Sequence, residues 1–521
     1  MPSEDSDRPY GFLSRRSMLQ GSAAAAFAAS MPAAATASQA TPAAESDIDV
    51  DAIDRFVAEA LAEYGVPGAA VAVVHRGETV LAQGYGVRSI EGDDPVDANT
   101  VFQLASNTKP MTAFTYGTLV DEGIAEWTTP ASALLTDLRL MDEYAAVHAN
   151  AIDLLSHRAG FPEFFGDLLG DLGYDRAEVM RRLRYVQPGH EFREVAAYSN
   201  LGFFLVGEMI TQLTGAPWEE AMQARLFEPL GMTRSGPSIA SRPADGNMSA
   251  NHAMVDGSLA TVPLDDHGVT GAAGSAISTA SDMARWMNAL LAGGMVDGQQ
   301  VIETETVQTM FDPVIAAPVT FTETPPISQT NGFAYSLGWG VFHWHNHRVI
   351  EKGGARAGLR TVVNLLPELG LGVAVLANLN LTYLPEAIRA FVLEQLLGPA
   401  DTDMQAEIRA MGEQIDAVFA APQPTSAGLP MGAELDAYAG TYEQDLFGEF
   451  VVVADDNSLR LEAGPAGRPA SLELDSNNTF LLDWGGAAEI PETLTFTLGP
   501  DGTAIAFETE SLGRFERVEG D

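Results

Sequence analysis

The sequence predicts an α+β domain followed by a second, smaller all-β domain. Helical and strand patterns alternate from about residue 50 to about residue 395. A Pro, Gly and Ser-containing stretch without periodicity, APQPTSAGLPMGA (421–433), then reads as a linker. Beyond it, short strand patterns recur every 8–12 residues or so, the spacing of a small barrel or sandwich.

Taken in order, residues 1–37 read as an export leader. SRRSMLQ (14–20) carries twin arginines before a short Ala-rich run, and MPAAATASQA offers small-residue cleavage sites, such as after Ala37. The run is too short and too weakly apolar for a membrane span. Asp54 to Gly65 has helical spacing, and GAAVAVVHRGETVLAQGYG reads as a hairpin turning at Arg76-Gly77. Helical patterns follow near 107–123, 200–214 and 281–292, the last stopping at Gly293-Gly294. HRVIEKGG, LRTVVNLL and GVAVLANL read as an antiparallel meander, turning at Pro367-Glu368-Leu369-Gly370. The last region contributes EFVVVADD, SLRLEAG, ASLELDS, TFLLDW, TLTFTLG and TAIAFET as strands. Turns fall at Asn457-Ser458, Asn477-Asn478 and Pro500-Asp501-Gly502. The expected division is a leader (1–37), a main domain (48–398), a helix and linker (399–433) and a β domain (434–521).

Composition narrows the function. The 521 residues hold 71 acidic against 28 basic side chains, a formal charge of −43, with 46% hydrophobic residues. That hydrophobic share excludes a disordered acidic tail. The charge disfavours binding to nucleic-acid phosphates or anionic lipid. Cysteine is absent, which excludes disulfides, thiol catalysis and Cys-ligated metals. Only two of the 28 basic residues are lysines, Lys109 and Lys352. Arginine cannot take up a proton near neutral pH, whereas a buried lysine can.

Lys109 lies three residues after Ser106 in QLASNTKPMTAF, where a helix is expected to begin. Positions i and i+3 share a helix face, so the Ser106 hydroxyl and the Lys109 amine can enter one pocket. Tyr198 and Asn200 precede a second apolar helical pattern, where a phenol near two amines can relay a proton and Asn200 can bond both lysine and substrate. Lys352 ends a strand before Gly353 and Gly354, where missing side chains permit close approach of a substrate backbone to the strand edge. Each motif alone has a plain alternative: a helix cap with a solvated lysine, a half-buried tyrosine, an edge-strand lysine.

Ser106-x-x-Lys109, Tyr198-x-Asn200 and Lys352-x-Gly354, in that order, resemble the serine β-lactamase and penicillin-binding-protein superfamily. Tyr198 opening the second motif looks like the class C β-lactamase branch. IDLLSHRAGFPEF, LFEPLGMTRS, GAAGSAISTASDMARWMNALLAGG and YSLGWG are similar as well, so the resemblance spans about 50–395. Residues 434–519 resemble, more loosely, a lipocalin-like accessory domain.

The resemblance implies an antiparallel sheet flanked by helices beside an all-helical lobe, with the site between them. It implies that Ser106 forms an acyl-enzyme, Lys109 and Tyr198 move its proton, and Asn200 positions lysine and substrate. Lys352, Gly353, Gly354 and Ala355 would line the substrate strand, the amides of Ser106 and Ala355 forming the oxyanion hole. Lys-Gly-Gly departs from the usual Lys-Thr-Gly, which removes one hydroxyl contact to a substrate carboxylate. Arg356 or Arg360 could replace it, or face solvent. His343, His345 and His347 alternate along HWHNH but straddle an expected hairpin turn at Asn346, so no metal is assigned, and no cofactor is implied. His157 reads as a buried hydrogen-bonding residue.

The expected function is an exported serine hydrolase, periplasmic or extracellular, cleaving an ester or amide of a small molecule or peptide. The alternatives are a true β-lactamase or D-Ala peptidase and, in another class, a peptide-binding sensor without turnover.

Overall fold

A computed structural model describes residues 48–255, 257–264, 267–317, 332–400, 402–419, 432–455, 458–485 and 491–518. The leader reading (1–37) and most of the linker (421–431) lie outside these residues.

The main domain is organised by one eight-stranded antiparallel sheet. Its strands are β1 (Gly68–His75), β2 (Glu78–Gly86), β3 (Ile315–Ala317), β4 (Phe333–Tyr335), β5 (Gly340–Trp344), β6 (His347–Arg356), β7 (Leu359–Leu366) and β8 (Leu371–Ala377). They lie in the order β2-β1-β8-β7-β6-β5-β4-β3, so the two chain ends of the domain meet where β1 pairs with β8. The β1–β2 turn falls at Arg76-Gly77, both with positive φ, as the sequence predicts.

The central strands are apolar at nearly every position because both faces are covered. On one face Val71, Val73, Val362, Val373 and Val375 pack under helices α1 (Val50–Glu63) and α5 (Leu384–Leu397). On the other, Ala72, Val74, Val363 and Leu376 join a core shared with α2 (Thr108–Asp121), α3 (Asn200–Thr214) and α4 (Ala280–Leu291). Every residue of α2 from Thr108 to Leu119 is buried, so this stretch has no face turned to solvent. It is enclosed because the lobe closes over it with short helices between residues 131 and 230.

Two buried ion pairs tie α5 to the sheet: Arg389 to Glu351 at 2.5 Å and Arg360 to Glu386 at 2.7 Å. Stripping one partner from such a pair leaves an uncompensated buried charge, which is strongly destabilising.

The C-terminal region is a closed eight-stranded barrel: β9 (Gly440–Gln444), β10 (Gly448–Asp455), β11 (Ser458–Ala463), β12 (Arg468–Ser476), β13 (Thr479–Asp483), β14 (Glu492–Leu498), β15 (Ala504–Thr509) and β16 (Gly513–Arg517). Pairing of β9 with β16 closes it and removes both edges. The interior is filled by rings, among them Tyr442, Phe450, Phe496, Phe507 and Phe515. Barrel and lobe belong to one continuous apolar core. No helix among the described residues is long and apolar enough to cross a membrane.

Candidate active site

The first motif sits on a strained turn. Ala105 to Asn107 form a single 3₁₀ turn running into α2, and Ala105 takes φ +46°, a left-handed conformation unusual for a residue with a Cβ. Ser106 is thus presented one residue before the helix cap, Asn107, rather than at the cap itself, and is the partly exposed residue of the turn. Lys109, on the first turn of α2, has no exposed surface. Its Nζ lies 3.1 Å from Ser106 Oγ, 2.7 Å from Asn200 Oδ1 and 3.1 Å from the Ala273 carbonyl oxygen.

Tyr198 lies in the loop entering α3, as expected, and its Oη donates to Ser106 Oγ at 2.8 Å. Asn200 opens α3. Its amide oxygen faces Lys109 while its Nδ2 donates to Asp167 Oδ2 at 2.9 Å. The sequence alone gave no reason to single out Asp167.

Lys352 reaches the same point from β6 and is 3% exposed. Its Nζ donates to Tyr198 Oη at 3.4 Å and, more closely, to Tyr335 Oη at 2.9 Å. Both amines also lie over the Tyr198 ring, 4.5 Å and 4.8 Å from its centroid. Tyr335, the first residue of YSLGWG, is the second hydroxyl held by Lys352.

Gly354 is required by a neighbour other than the one expected. A Cβ there would come within 2.3 Å of the Leu104 carbonyl oxygen and 3.2 Å of Ser106 N. The bare backbone therefore lets β6 press against the serine turn, a contact inside the protein. Thr361 Oγ1 fastens the same turn by donating to the Leu104 carbonyl at 2.9 Å, and Asn107 Nδ2 donates to Thr361 Oγ1 at 2.9 Å. Gly353 is buried, and Ala355, next along β6, is exposed at the end of this contact.

His157 is the buried support predicted for it. Its ring lies 4.4 Å from that of Tyr198 and 4.6 Å from that of Tyr335. Its Nδ1 accepts from the Ser199 N–H at 3.1 Å. Burial, reinforced by Lys109 and Lys352, pushes its pKa well below the ordinary imidazole value, so it stays neutral. The Phe164 ring lies tilted against that of Tyr198 at 5.0 Å, and its N–H donates to the Tyr198 carbonyl at 2.9 Å.

Of the two arginines considered for a substrate contact, Arg360 is excluded. It points to the far face of the sheet and pairs with Glu386, because Thr361 next to it faces the serine turn and side chains alternate along a strand. Arg356 remains on the cleft side, where Nη1 meets His267 Nδ1 at 2.9 Å. Burial first, then Arg356 and Lys109, hold the His267 pKa well below its ordinary value, so this imidazole accepts from the guanidinium.

HWHNH forms a hairpin, with His345 and Asn346 at positive φ in the turn and His347 paired to Glu368 at 3.0 Å. Among the described residues no cluster of three His, Cys, Asp or Glu side chains could hold a metal ion.

Residues 53–398 match the family model described as Beta-lactamase, and residues 425–519 match one described as a domain of unknown function, DUF3471. Among curated proteins, the chain is 28% identical over 484 residues to an unguisins hydrolase of Aspergillus campestris, covering 86% of each. It is 26% identical over 399 residues to penicillin-binding protein 4 of Amycolatopsis lactamdurans, covering 74% of this chain and 94% of that protein. Among solved structures, the octameric penicillin-binding protein homologue of Pyrococcus abyssi aligns with TM-score 0.58 at 21% identity, over 90% of this chain and all of that one. A class C β-lactamase of Rhodobacter sphaeroides aligns with TM-score 0.54 at 20% identity, over 71% of this chain and all of that one. At such identities the structural likeness speaks for the fold.

Proposed function

The chain belongs to the beta-lactamase family, and on that premise we propose that it hydrolyses an ester or amide through an acyl-enzyme on Ser106. The observation that supports this best is the convergence of Lys109 Nζ at 3.1 Å and Tyr198 Oη at 2.8 Å on one hydroxyl oxygen.

Two of the Lys109 contacts, Asn200 Oδ1 and the Ala273 carbonyl, are oxygens that only accept. A neutral amine donates its two hydrogens to them, leaving its lone pair for the Ser106 proton. Ser106 Oγ then bonds to the substrate carbonyl carbon as its proton passes to Lys109. The oxyanion that forms is held by the amides of Ser106 and Ala355, a donor of this kind contributing about 3–4 kcal/mol in the transition state. Collapse breaks the bond to the leaving group, which takes a proton through Tyr198, the phenol nearest Ser106 Oγ. Lys352 offsets the negative charge on Tyr198 as its proton leaves, until the proton taken up by Lys109 replaces it. Water attacks the acyl carbon and the same groups return the serine proton.

The names of the Aspergillus and Amycolatopsis relatives support a hydrolase of the penicillin-binding type. Gly353, where a hydroxyl would help hold a substrate carboxylate, favours a substrate with no carboxylate at that place, such as a small ester or an amino-acid amide, over a β-lactam. The twin arginines at Arg15-Arg16 support export to the periplasm or beyond.

A fluorophosphonate probe is expected to label the wild type and leave Ser106→Ala unlabelled, with the variant still folded. Labelling that persists in Ser106→Ala refutes the assignment. Turnover of p-nitrophenyl butyrate or a D-Ala amide above that of nitrocefin is the expected substrate order. Release of one equivalent of product without further turnover would instead identify a sensor.

A further inference from the structure

The barrel meets the main domain along the segment that also builds the back wall of the cleft. Residues 162–185 run between the His157 loop and α3. Phe164 and Asp167 of this segment face inward, the first on the Tyr198 ring and the second on the Asn200 amide. Phe165, Asp171, Leu172, Tyr174 and Arg182 of the segment meet the barrel. The Phe165 ring meets the edge of the Phe447 ring at 5.7 Å, and Tyr174 Oη donates to the Phe447 carbonyl at 3.1 Å. Arg182 Nη1 donates to the carbonyls of Asp445 and Leu446, both at 2.8 Å, and its guanidinium lies 4.0 Å over the Tyr174 ring. A second barrel turn is fastened by Ala466 N–H to the Leu172 carbonyl at 2.9 Å and by Arg468 to Asp171 at 2.8 Å.

These contacts are fitted ones. Leu446 and Phe447, at the tip of the β9–β10 turn, are 3% and 1% exposed, and the Phe447 ring, besides meeting Phe165, stacks on the Phe515 ring of the barrel at 6.4 Å. A Cβ on Gly448 would come within 2.1 Å of Tyr174 Oη, and one on Gly464 within 2.7 Å of Leu172. The barrel backbone therefore approaches the segment as closely as side chains allow.

From this arrangement we propose that the C-terminal barrel is a positioning element for the reaction: its Asp445–Phe447 turn, through Arg182 and Phe165, fixes segment 164–174, so that Asp167 holds Asn200, and Asn200 holds Lys109, in line with Ser106. The proposal gives the barrel a task that needs no ligand, in keeping with an interior filled by rings. The chain of contacts is short. Phe165 touches the barrel, its neighbour Phe164 touches Tyr198, and Asp167 stands one hydrogen bond from the amide that faces Lys109. A shift of about 1 Å at such a site costs on the order of a hundredfold in rate.

The inference rests on Ser106 being the acylated residue, which the probe experiment on Ser106→Ala decides separately. The test uses the full chain carrying Arg182→Ala, Phe447→Ala or the milder Arg468→Ala, each alone and combined with Asp167→Ala. Folding of both domains is checked by thermal melting, and the rate of Ser106 acylation by a p-nitrophenyl ester is read at saturation. Arg182→Ala and Phe447→Ala are expected to lower that rate about tenfold with less than a twofold change in KM, the signature of lost alignment rather than lost binding. Arg468→Ala is expected to act in the same direction by a smaller factor, and it serves if the other two fail to fold. In the Asp167→Ala background the same substitutions are expected to change the rate by a smaller factor than in the wild type, because the route through Asn200 is already cut. Full acylation rates in folded Arg182→Ala, Phe447→Ala and Arg468→Ala overturn the proposal, and so do effects that multiply with that of Asp167→Ala. Loss of labelling at Ser106 in the wild type would strike the functional reading instead.

Discussion

The interior of the barrel and the floor of the cleft are about equally closed to water, yet they are built on opposite rules. Inside the barrel, Phe450, Phe496, Phe507 and Phe515 pack ring against ring. Its buried phenols, Tyr438 and Tyr442, bond to near neighbours, with Tyr442 Oη donating to the Tyr438 carbonyl. In the cleft, two amines and three hydroxyls share the space that apolar side chains would otherwise fill. Burying such groups is costly unless each is hydrogen-bonded. The comparison teaches that the barrel is shaped by packing, while the cleft gives up packing for chemistry and relies on its surroundings for support.

The strongest way to break that contrast is to remove the proton acceptor from the cleft. Lys109→Arg puts a fixed cation where the mechanism needs a neutral amine, so kcat is expected to fall by about 10²–10⁴, the usual contribution of a positioned acid or base. Steady-state kinetics on the folded variant measure this, and activity near the wild-type level would dismiss Lys109 as the base.

The complementary change belongs in the barrel. Phe496→Ala empties a site among four buried rings and is expected to cost about 3–5 kcal/mol of stability. Denaturant titration followed by barrel fluorescence reads it. A loss below about 1 kcal/mol would mean the rings pack loosely.

The smallest effect sharpens the contrast through pH. His157 and His267 both have pKa values held well below 6.5 by burial and nearby cations. The unfolded chain binds protons at these rings below pH 6.5, whereas the folded chain resists. Stability is therefore full above that value and declines as pH falls through it, by up to about 1.4 kcal/mol per pH unit for each ring. The barrel region has no histidine and adds nothing to this slope. Melting curves between pH 7 and 5 are expected to show the decline in the wild type and a shallower one in His157→Gln. Equal slopes would remove His157 as its source.

Much of the cleft was legible because its chemistry depends on local spacing: Ser106 and Lys109 share a helical turn, and Tyr198 and Asn200 flank a helix start. Asp167, Phe164 and Tyr335 were not, because their value comes from meeting residues 17 to 34 positions away, with no periodicity to mark them. Arg360 was left open in the sequence because a strand's two faces cannot be told apart where both are buried; Thr361 decides it. In the barrel, six strands announced themselves by alternation. The first and last, GTYEQ and GRFER, did not, being five residues each and fixed by pairing across the closure. The helices of the lobe between residues 131 and 182 run four to seven residues, too short for a 3.6-residue pattern to repeat.

The two lysines have one more consequence. Both lie sealed in the cleft, and the chain has no others. Its outer surface therefore presents guanidinium groups but no side-chain primary amine. Reagents that seek amines, whether aldehydes, activated esters or isocyanates, find nothing along the exterior between the termini. Any such adduct formed on a side chain reports entry into the pocket itself, which makes the pocket chemically addressable in a molecule that is otherwise silent to that chemistry.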